Sequence, residues 1–255
     1  MTDTIQQRID AVQHWYHQIE MPNGATTPGI NRSKATLEIY DALGFPADLT
    51  GKRVLDIGCA DGYFSFVAER RGAAEIVAID YRLPTASGFS VAADLLGSKV
   101  RHVVANVYDL VPETLGQFDF IIFAGLLYHL RNPMLAVDRV RALARDDALV
   151  LVETHTIDAT FRAKLAEAGL PQDRLDEIVG LPMWDFYHRD ALNGDFSNKW
   201  APTLAGLHHL CMEAQLRPIA TQGFGSRGAI LCRAVVDPEL EFHRVVDASD
   251  GVDRP

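Results

Sequence analysis

Between Arg53 and Glu153 short apolar runs alternate with amphipathic stretches. Runs rich in Val and Ile at Arg53–Ile57, Glu75–Asp80, Arg101–Asn106, Phe118–Ala124 and Ala148–Glu153 predict strands, since a parallel strand buried on both faces is apolar nearly throughout. Tyr63–Arg71, Thr85–Leu96 and Pro133–Ala144 lie between them with helical patterning. Strand and helix in strict alternation predict an α/β fold with a parallel sheet covered on both faces.

Outside this stretch the rhythm differs. Ile5, Ile9, Val12, Tyr16 and Ile19 recur at helical spacing and predict one amphipathic helix over residues 3–20. A turn-rich linker, Met21–Gly29, leads to a second helix over Ser33–Leu43, with Ser33 as its cap. After Glu153, Thr156–Gly180 predicts one or two short helices, and Leu181–Trp200 is irregular and aromatic-rich. A helix over Thr203–Ala214 and strands at Arg217–Thr221 and Gly228–Val235 complete a doubly wound, mostly parallel sheet of seven strands. The expected organisation is an N-terminal helical cap (1–50), a core (51–236) with a substrate lid inserted at 156–202, and a charged tail (237–255).

Composition narrows the partners. With 48% hydrophobic and 23% charged residues, the chain can bury a full core and is not biased toward disorder. A net charge of −10 argues against nucleic acid, whose recognition leans on Lys and Arg neutralising phosphates. Cys59, Cys211 and Cys232 form no paired spacing, which fits a reducing compartment and excludes a four-cysteine zinc site. The start, MTDTIQQRID, is unlike a signal peptide, and the longest apolar stretch, FIIFAGLL, is too short to span a bilayer. A cytoplasmic protein with no membrane partner is expected; its oligomeric state is open.

The stretch Val54–Phe66, VLDIGCADGYFSF, is a strand, a glycine loop and a helix start. Ligands of a doubly wound sheet bind at the carboxyl ends of the strands, so this loop is the first place to look. Gly58-Cys-Ala-Asp-Gly62 has neither the G-x-G-x-x-G spacing of dinucleotide loops nor the GK[ST] of phosphate loops. Asp56 directly before it suits a ligand with cationic or hydroxyl groups, such as S-adenosylmethionine. Asp80, at the tip of the second strand, is placed to accept both hydroxyls of a ribose.

This pattern resembles the class I S-adenosylmethionine-dependent methyltransferases, and the resemblance implies their Rossmann-like fold and S-adenosylmethionine as cofactor. It assigns Asp56, Gly58 and Gly62 to the methionine-side loop, Asp80 to the ribose, Tyr81, Arg82 and Asn106 to the adenine, and Val107 and Ala124 to the cofactor site. Ala60 stands where the commonest pattern has glycine. WYHQIEMPNGATTPG, FDFIIFAGLLYHLRNP and LVLVETHTID are similar more closely to the tRNA wobble-uridine methyltransferase group and its small-molecule homologues. That resemblance offers Tyr128 and Arg227 as counterparts of residues that hold a carboxylated cofactor. His17 stands where a lysine would complete the set. With one basic group missing, plain S-adenosylmethionine and a small-molecule acceptor are the leading expectation.

Methyl transfer requires the acceptor in line with the methyl group and, for a weakly acidic nucleophile, a base. Glu153, His155, Tyr128 and His129 are the catalytic candidates, in that order. Against them stand a structural carboxylate at Glu153, a solvated His155 and a His129 that orients the following helix. Trp184, Tyr187, His188 and Trp200 in the insert, with His17, Arg32 and Arg227, are the expected substrate wall; ordinary packing of the insert is the alternative. No metal is assigned; magnesium enters only if the acceptor is a diphosphate, as in C-methylation of a prenyl diphosphate with Glu153 as base. Methylation of a tRNA wobble uridine and a non-catalytic cofactor-binding partner are the remaining alternatives.

Overall fold

The computed structural model describes residues 4–237. A short helix α1 (Ile5–Asp10) and helix α2 (Ser33–Leu43) precede the alternating core. The core runs β1 (Arg53–Ile57), α3 (Tyr63–Arg70), β2 (Glu75–Asp80), α4 (Phe89–Leu96), β3 (Arg101–Val104), α5 (Pro112–Leu115), β4 (Phe118–Ala124), α6 (Pro133–Leu143) and β5 (Ala144–His155). The insert holds α7 (Asp158–Glu167), α8 (Gln172–Val179) and a two-stranded ribbon of β6 (Trp184–Phe186) and β7 (Trp200–Pro202). Helix α9 (Leu204–Glu213) and the hairpin β8 (Leu216–Phe224) and β9 (Arg227–Ala234) close the described chain.

The seven strands lie in the order β3-β2-β1-β4-β5-β9-β8. β1 to β5 are parallel, while β9 runs antiparallel against both β5 and β8. Strand order reverses between β1 and β4, which opens a crevice at their carboxyl ends. Alternate residues of each strand serve opposite layers. Leu55, Ile57, Ile121 and Phe123 pack with Val137, Val140 and Leu210, while Val54, Phe120 and Ile122 pack with Tyr40, Phe64 and Phe66. Each such side chain, fully buried, contributes roughly 1.5–3 kcal/mol. Among the described residues no helix is long and apolar enough to cross a membrane.

The N-terminal cap corrects the expectation of one long helix. Helix α1 ends at Asp10, and the chain then runs extended across the glycine loop of β1. The cause is a long-range competitor for its amides. Asp61, 1% exposed, accepts the backbone N–H of Tyr16 at 2.6 Å and of His17 at 2.8 Å through one oxygen, and that of Gly88 at 2.9 Å through the other. Gly88 lets this happen, since a Cβ there would lie 2.1 Å from the Trp15 ring. Asp61→Ala strands three amides, of which those of His17 and Gly88 are buried and cost about 1–3 kcal/mol each. A loss of about 3 kcal/mol or more in urea unfolding is expected, with new protease cleavage near residue 15; wild-type stability would sink the clamp. The charged tail expected from residue 237 lies, past Asp237, outside the described residues.

Candidate active site

Strand β1 delivers Asp56 to the crevice, and the loop after it must turn sharply back into α3. Gly58 takes φ +80°, and its N–H and that of Cys59 both donate to the Ile79 carbonyl, at 2.8 and 3.0 Å. A Cβ on Gly58 would press on Leu126 at 3.2 Å. Ala60 sits at φ +48°, a left-handed conformation that explains why glycine is the usual residue at this point.

Two carboxylates frame the loop and are set differently. Asp56, 3% exposed, accepts the Ser65 hydroxyl at 2.6 Å, yet burial pushes its carboxyl up to about 7. Asp80 ends β2. One of its oxygens accepts the Ala60 N–H at 3.1 Å and Arg82 Nη2 at 3.0 Å; the other accepts Arg82 N at 2.9 Å and Nε at 3.0 Å. Burial alone would raise its pKa, but the Arg82 hydrogen bonds prevail and hold it below the ordinary carboxylate range.

From this loop a cavity of about 880 Å³ runs across the carboxyl ends of β1, β2 and β4 to the junction of β5 with β9. At its far end Glu153, 3% exposed, is bound bidentately by Arg227, with Nε to Oε1 at 2.5 Å and Nη2 to Oε2 at 2.7 Å. The Gly125 N–H also donates to Oε2 at 2.8 Å. Burial disfavours the Arg227 charge, but Glu153 outweighs it and raises the guanidinium pKa. Arg227 lies 4.8 Å over the Tyr128 ring, a cation–π contact. Tyr16 and Tyr40 also line the cavity, their phenols pushed upward first by burial.

The insert docks on the turn that carries Tyr128 and His129. Lys199 N donates to the Tyr128 carbonyl at 3.0 Å, and Trp200 Nε1 to the Leu130 carbonyl at 2.6 Å. Ser197 Oγ lies 2.9 Å from His129 Nδ1 and donates to Asp195 Oδ1 at 2.7 Å. Asp195, Ser197 and His129 all line the cavity.

Most expected residues meet here. Asp56, Gly58, Asp80, Tyr81, Arg82, Asn106, Val107 and Ala124 line the cavity, as do His17, Tyr128, His129, Glu153 and Arg227. Gly62 does not: at φ +88° it starts α3, its N–H held by the Cys59 carbonyl at 2.8 Å. His155 is buried beside the Tyr128 ring, 6.1 Å between centroids, rather than in the lining, because β5 ends there. The aromatic wall is corrected. Trp200 is buried in the core and Trp184 packs on it at 4.7 Å, while His188 is exposed and Tyr187 hydrogen-bonds through its N–H to Lys199. Arg32, exposed, precedes α2 and lies outside the lining. Asp61, Tyr40, Asp195 and Ser197 were not anticipated. Asp61 alone had a visible signal, as an acid between the loop glycines. Among the described residues, no group of three or more His, Cys, Asp or Glu side chains could hold a metal ion.

Two buried groups give opposite pH dependences. Burial lowers His17 from 6.5 to about 4, so between these values the unfolded chain binds more protons and stability falls as pH drops. Asp56, raised from 3.8 to about 7, holds its proton in the fold, so its contribution falls as pH rises across that window. Each is on the order of 3 kcal/mol. Within this pair the two slopes cancel between about pH 4 and 6.5, and His102, His129 and His155, all lowered chiefly by burial, leave wild-type stability climbing with pH. Asp56→Asn should steepen that climb, and His17→Gln should weaken it. Urea unfolding at fixed pH values checks this, and parallel curves for all three would refute it.

A family model described as a methyltransferase domain matches residues 31–200, well over half of the chain. The chain belongs to the methyltransferase-domain family. The matched region holds both carboxylates of the glycine loop, Glu153 and the turn at Tyr128, but not His17 or Arg227. A tRNA U34 carboxymethyltransferase of Geobacter sp. (strain M21) is 31% identical to this methyltransferase over 110 residues, 43% of this chain and 34% of that relative. The chain thus spans about a third of that relative's length. The N-terminal domain of EvdMO1 with SAH bound superimposes with a TM-score of 0.61 at 18% identity, covering 93% of this chain and 98% of that one. The 1,6-didemethyltoxoflavin-N1-methyltransferase of Burkholderia thailandensis, with bound 1,6-didemethyltoxoflavin and S-adenosylhomocysteine, gives 0.54 at 18% identity, covering 80% and 77%. At these identities the two structures support the fold.

Proposed function

We propose that this methyltransferase transfers the methyl group of S-adenosylmethionine to a small-molecule acceptor. The observation that carries the reading is the continuity of the cavity: about 880 Å³ joins the glycine loop and Asp80 to the Tyr128, His129 and Arg227 end. That volume lies in the upper range for ligand pockets and accommodates a cofactor together with a modest acceptor. The residues fit the cofactor. Gly58 presents bare backbone, Asp56 would hold its cationic end, Asp80 would accept the ribose hydroxyls, and Tyr81, with an exposed ring, would flank the adenine. When bound, S-adenosylmethionine supplies an electrophilic methyl carbon on a sulfonium.

The protein's share is alignment and proton removal. Glu153 is a poor choice of base, since Arg227 and the Gly125 N–H engage both of its oxygens. The same pairing weakens the prenyl diphosphate reading, because it neutralises the best-placed cation. His129 lines the cavity and is kept neutral chiefly by burial, which lowers its pKa. We assign it the base, for an acceptor that gives up a proton from oxygen or carbon. A small metabolite as substrate agrees with the net charge of −10 and with the named acceptor of the Burkholderia neighbour; a cytoplasmic, secondary-metabolic setting is part of the same proposal.

The relatives named for tRNA U34 carboxymethyl transfer favour a second reading, in which Arg227 and Tyr128 receive a carboxylated cofactor and the acceptor is tRNA. Native mass spectrometry of the purified protein, followed by titration with S-adenosylmethionine and its carboxylated form, separates the two. Preference for the plain cofactor is expected. Preference for the carboxylated form would move the assignment to tRNA, and binding of neither would end both.

A further inference from the structure

We infer that Asp195 and Ser197, from the insert, are positioning residues that hold His129 as its Nδ1–H tautomer, leaving Nε2 to take the acceptor's proton. The argument is a count of protons along one short chain of hydrogen bonds. Asp195 accepts the Ser197 N–H at 2.8 Å and the Ser197 hydroxyl at 2.7 Å. These hydrogen bonds hold its carboxyl below the usual range, so at neutral pH it is ionised and can only accept. A serine hydroxyl owns one proton, and Ser197 has given it to Asp195. Toward His129, 2.9 Å away, Ser197 Oγ therefore accepts, and Nδ1 must carry the hydrogen. A neutral imidazole has one N–H, so Nε2 is left with its lone pair free on a ring that lines the cavity.

The surroundings agree with a neutral ring. Burial lowers its pKa first; Asp195 and the Ser197 contact raise it, while Arg227 and Lys199 lower it. The Tyr128 ring packs on it with centroids 4.0 Å apart. The insert is held in register for this by Lys199 and Trp200 on the carbonyls of Tyr128 and Leu130. Its role is thus to orient the base rather than to wall the site with aromatic rings.

The inference rests on the methyl-transfer reading, and the balance closes for a hydroxyl acceptor. The acceptor oxygen forms its bond to the methyl carbon as the carbon–sulfur bond breaks and that electron pair stays on sulfur. The hydroxyl proton passes to Nε2, so the positive charge lost from the sulfonium reappears on the imidazole.

The test is long-range proton–nitrogen NMR on protein labelled with ¹⁵N-histidine, with His129→Gln to assign the signal. Wild type is expected to show the Nδ1–H tautomer. Ser197→Ala and Asp195→Asn are expected to give a tautomer mixture, with a downward shift of the His129 titration in Asp195→Asn, and Ser197→Thr should restore the wild-type signal. An Nε2–H tautomer in wild type, or identical spectra across the series, overturns the inference. Calorimetric titration with S-adenosylhomocysteine is run in parallel. Absence of binding there would overturn the methyl-transfer reading while leaving the tautomer result readable.

Discussion

Replacing Asp80 with alanine is expected to weaken S-adenosylhomocysteine binding by about 100-fold or more. A carboxylate offers about four acceptor positions, and all four on Asp80 are taken, two of them by the Arg82 side chain at Nε and Nη2. The two backbone contacts can persist when ligand enters, but a ribose diol must take over the positions of the guanidinium. Two charge-assisted hydrogen bonds at roughly 1.5–3 kcal/mol each give the expected loss, since 1.4 kcal/mol is about tenfold. The same geometry makes an opposite prediction for Arg82. Arg82→Ala removes the competitor, so affinity for S-adenosylhomocysteine should rise severalfold, while an adenosine ligand lacking both ribose hydroxyls should be indifferent. Calorimetric titration measures all of these. Unchanged affinity in Asp80→Ala would remove the ribose assignment, and weaker binding in Arg82→Ala would mean that Arg82 holds the ligand instead of yielding to it.

What was legible in the residues follows from the range of the forces involved. The bounds of β1, β2 and β4 agree with the apolar runs because a strand covered on both faces needs nothing beyond its own composition. The loop carboxylates were legible for a similar reason: a strand tip in a doubly wound sheet points at the crevice whatever else the chain does. The failures are all long-range. Residues 11–20 carry helical spacing, yet the amides of Tyr16 and His17 are claimed by Asp61, more than forty positions on. Glu153 stays open between base and structural carboxylate until β9 is known to pair with β5, which brings Arg227 opposite His155 and onto the carboxylate. Trp184 and Trp200 stay open between substrate wall and ordinary packing because an irregular aromatic segment gives no sign of which rings its docking will bury. Asp195 and Ser197 carry no signal of their own, and only the hydrogen bonds of Lys199 and Trp200 to the neighbouring turn bring them to His129.

A large effect on stability should also come from the pair that closes the far end of the cavity. Glu153 has a side chain 4% exposed and Arg227 one 24% exposed, so removing the arginine leaves a carboxylate with almost no access to water. Breaking a buried pair from one side costs about 3–5 kcal/mol, and Arg227→Ala should lose that much in urea unfolding with an unchanged slope. Replacing both residues by methionine removes the stranded charge as well, so the double variant should be clearly more stable than the sum of Glu153→Met and Arg227→Met. Simple additivity would mean that solvent reaches the pair and that the cavity end is open. Glu153→Gln then separates structure from catalysis. It keeps the shape and an acceptor for Arg227, so it should retain S-adenosylhomocysteine affinity and most of the turnover. A fold-preserving loss of a hundredfold or more in that variant would return the role of base to Glu153 and take it from His129.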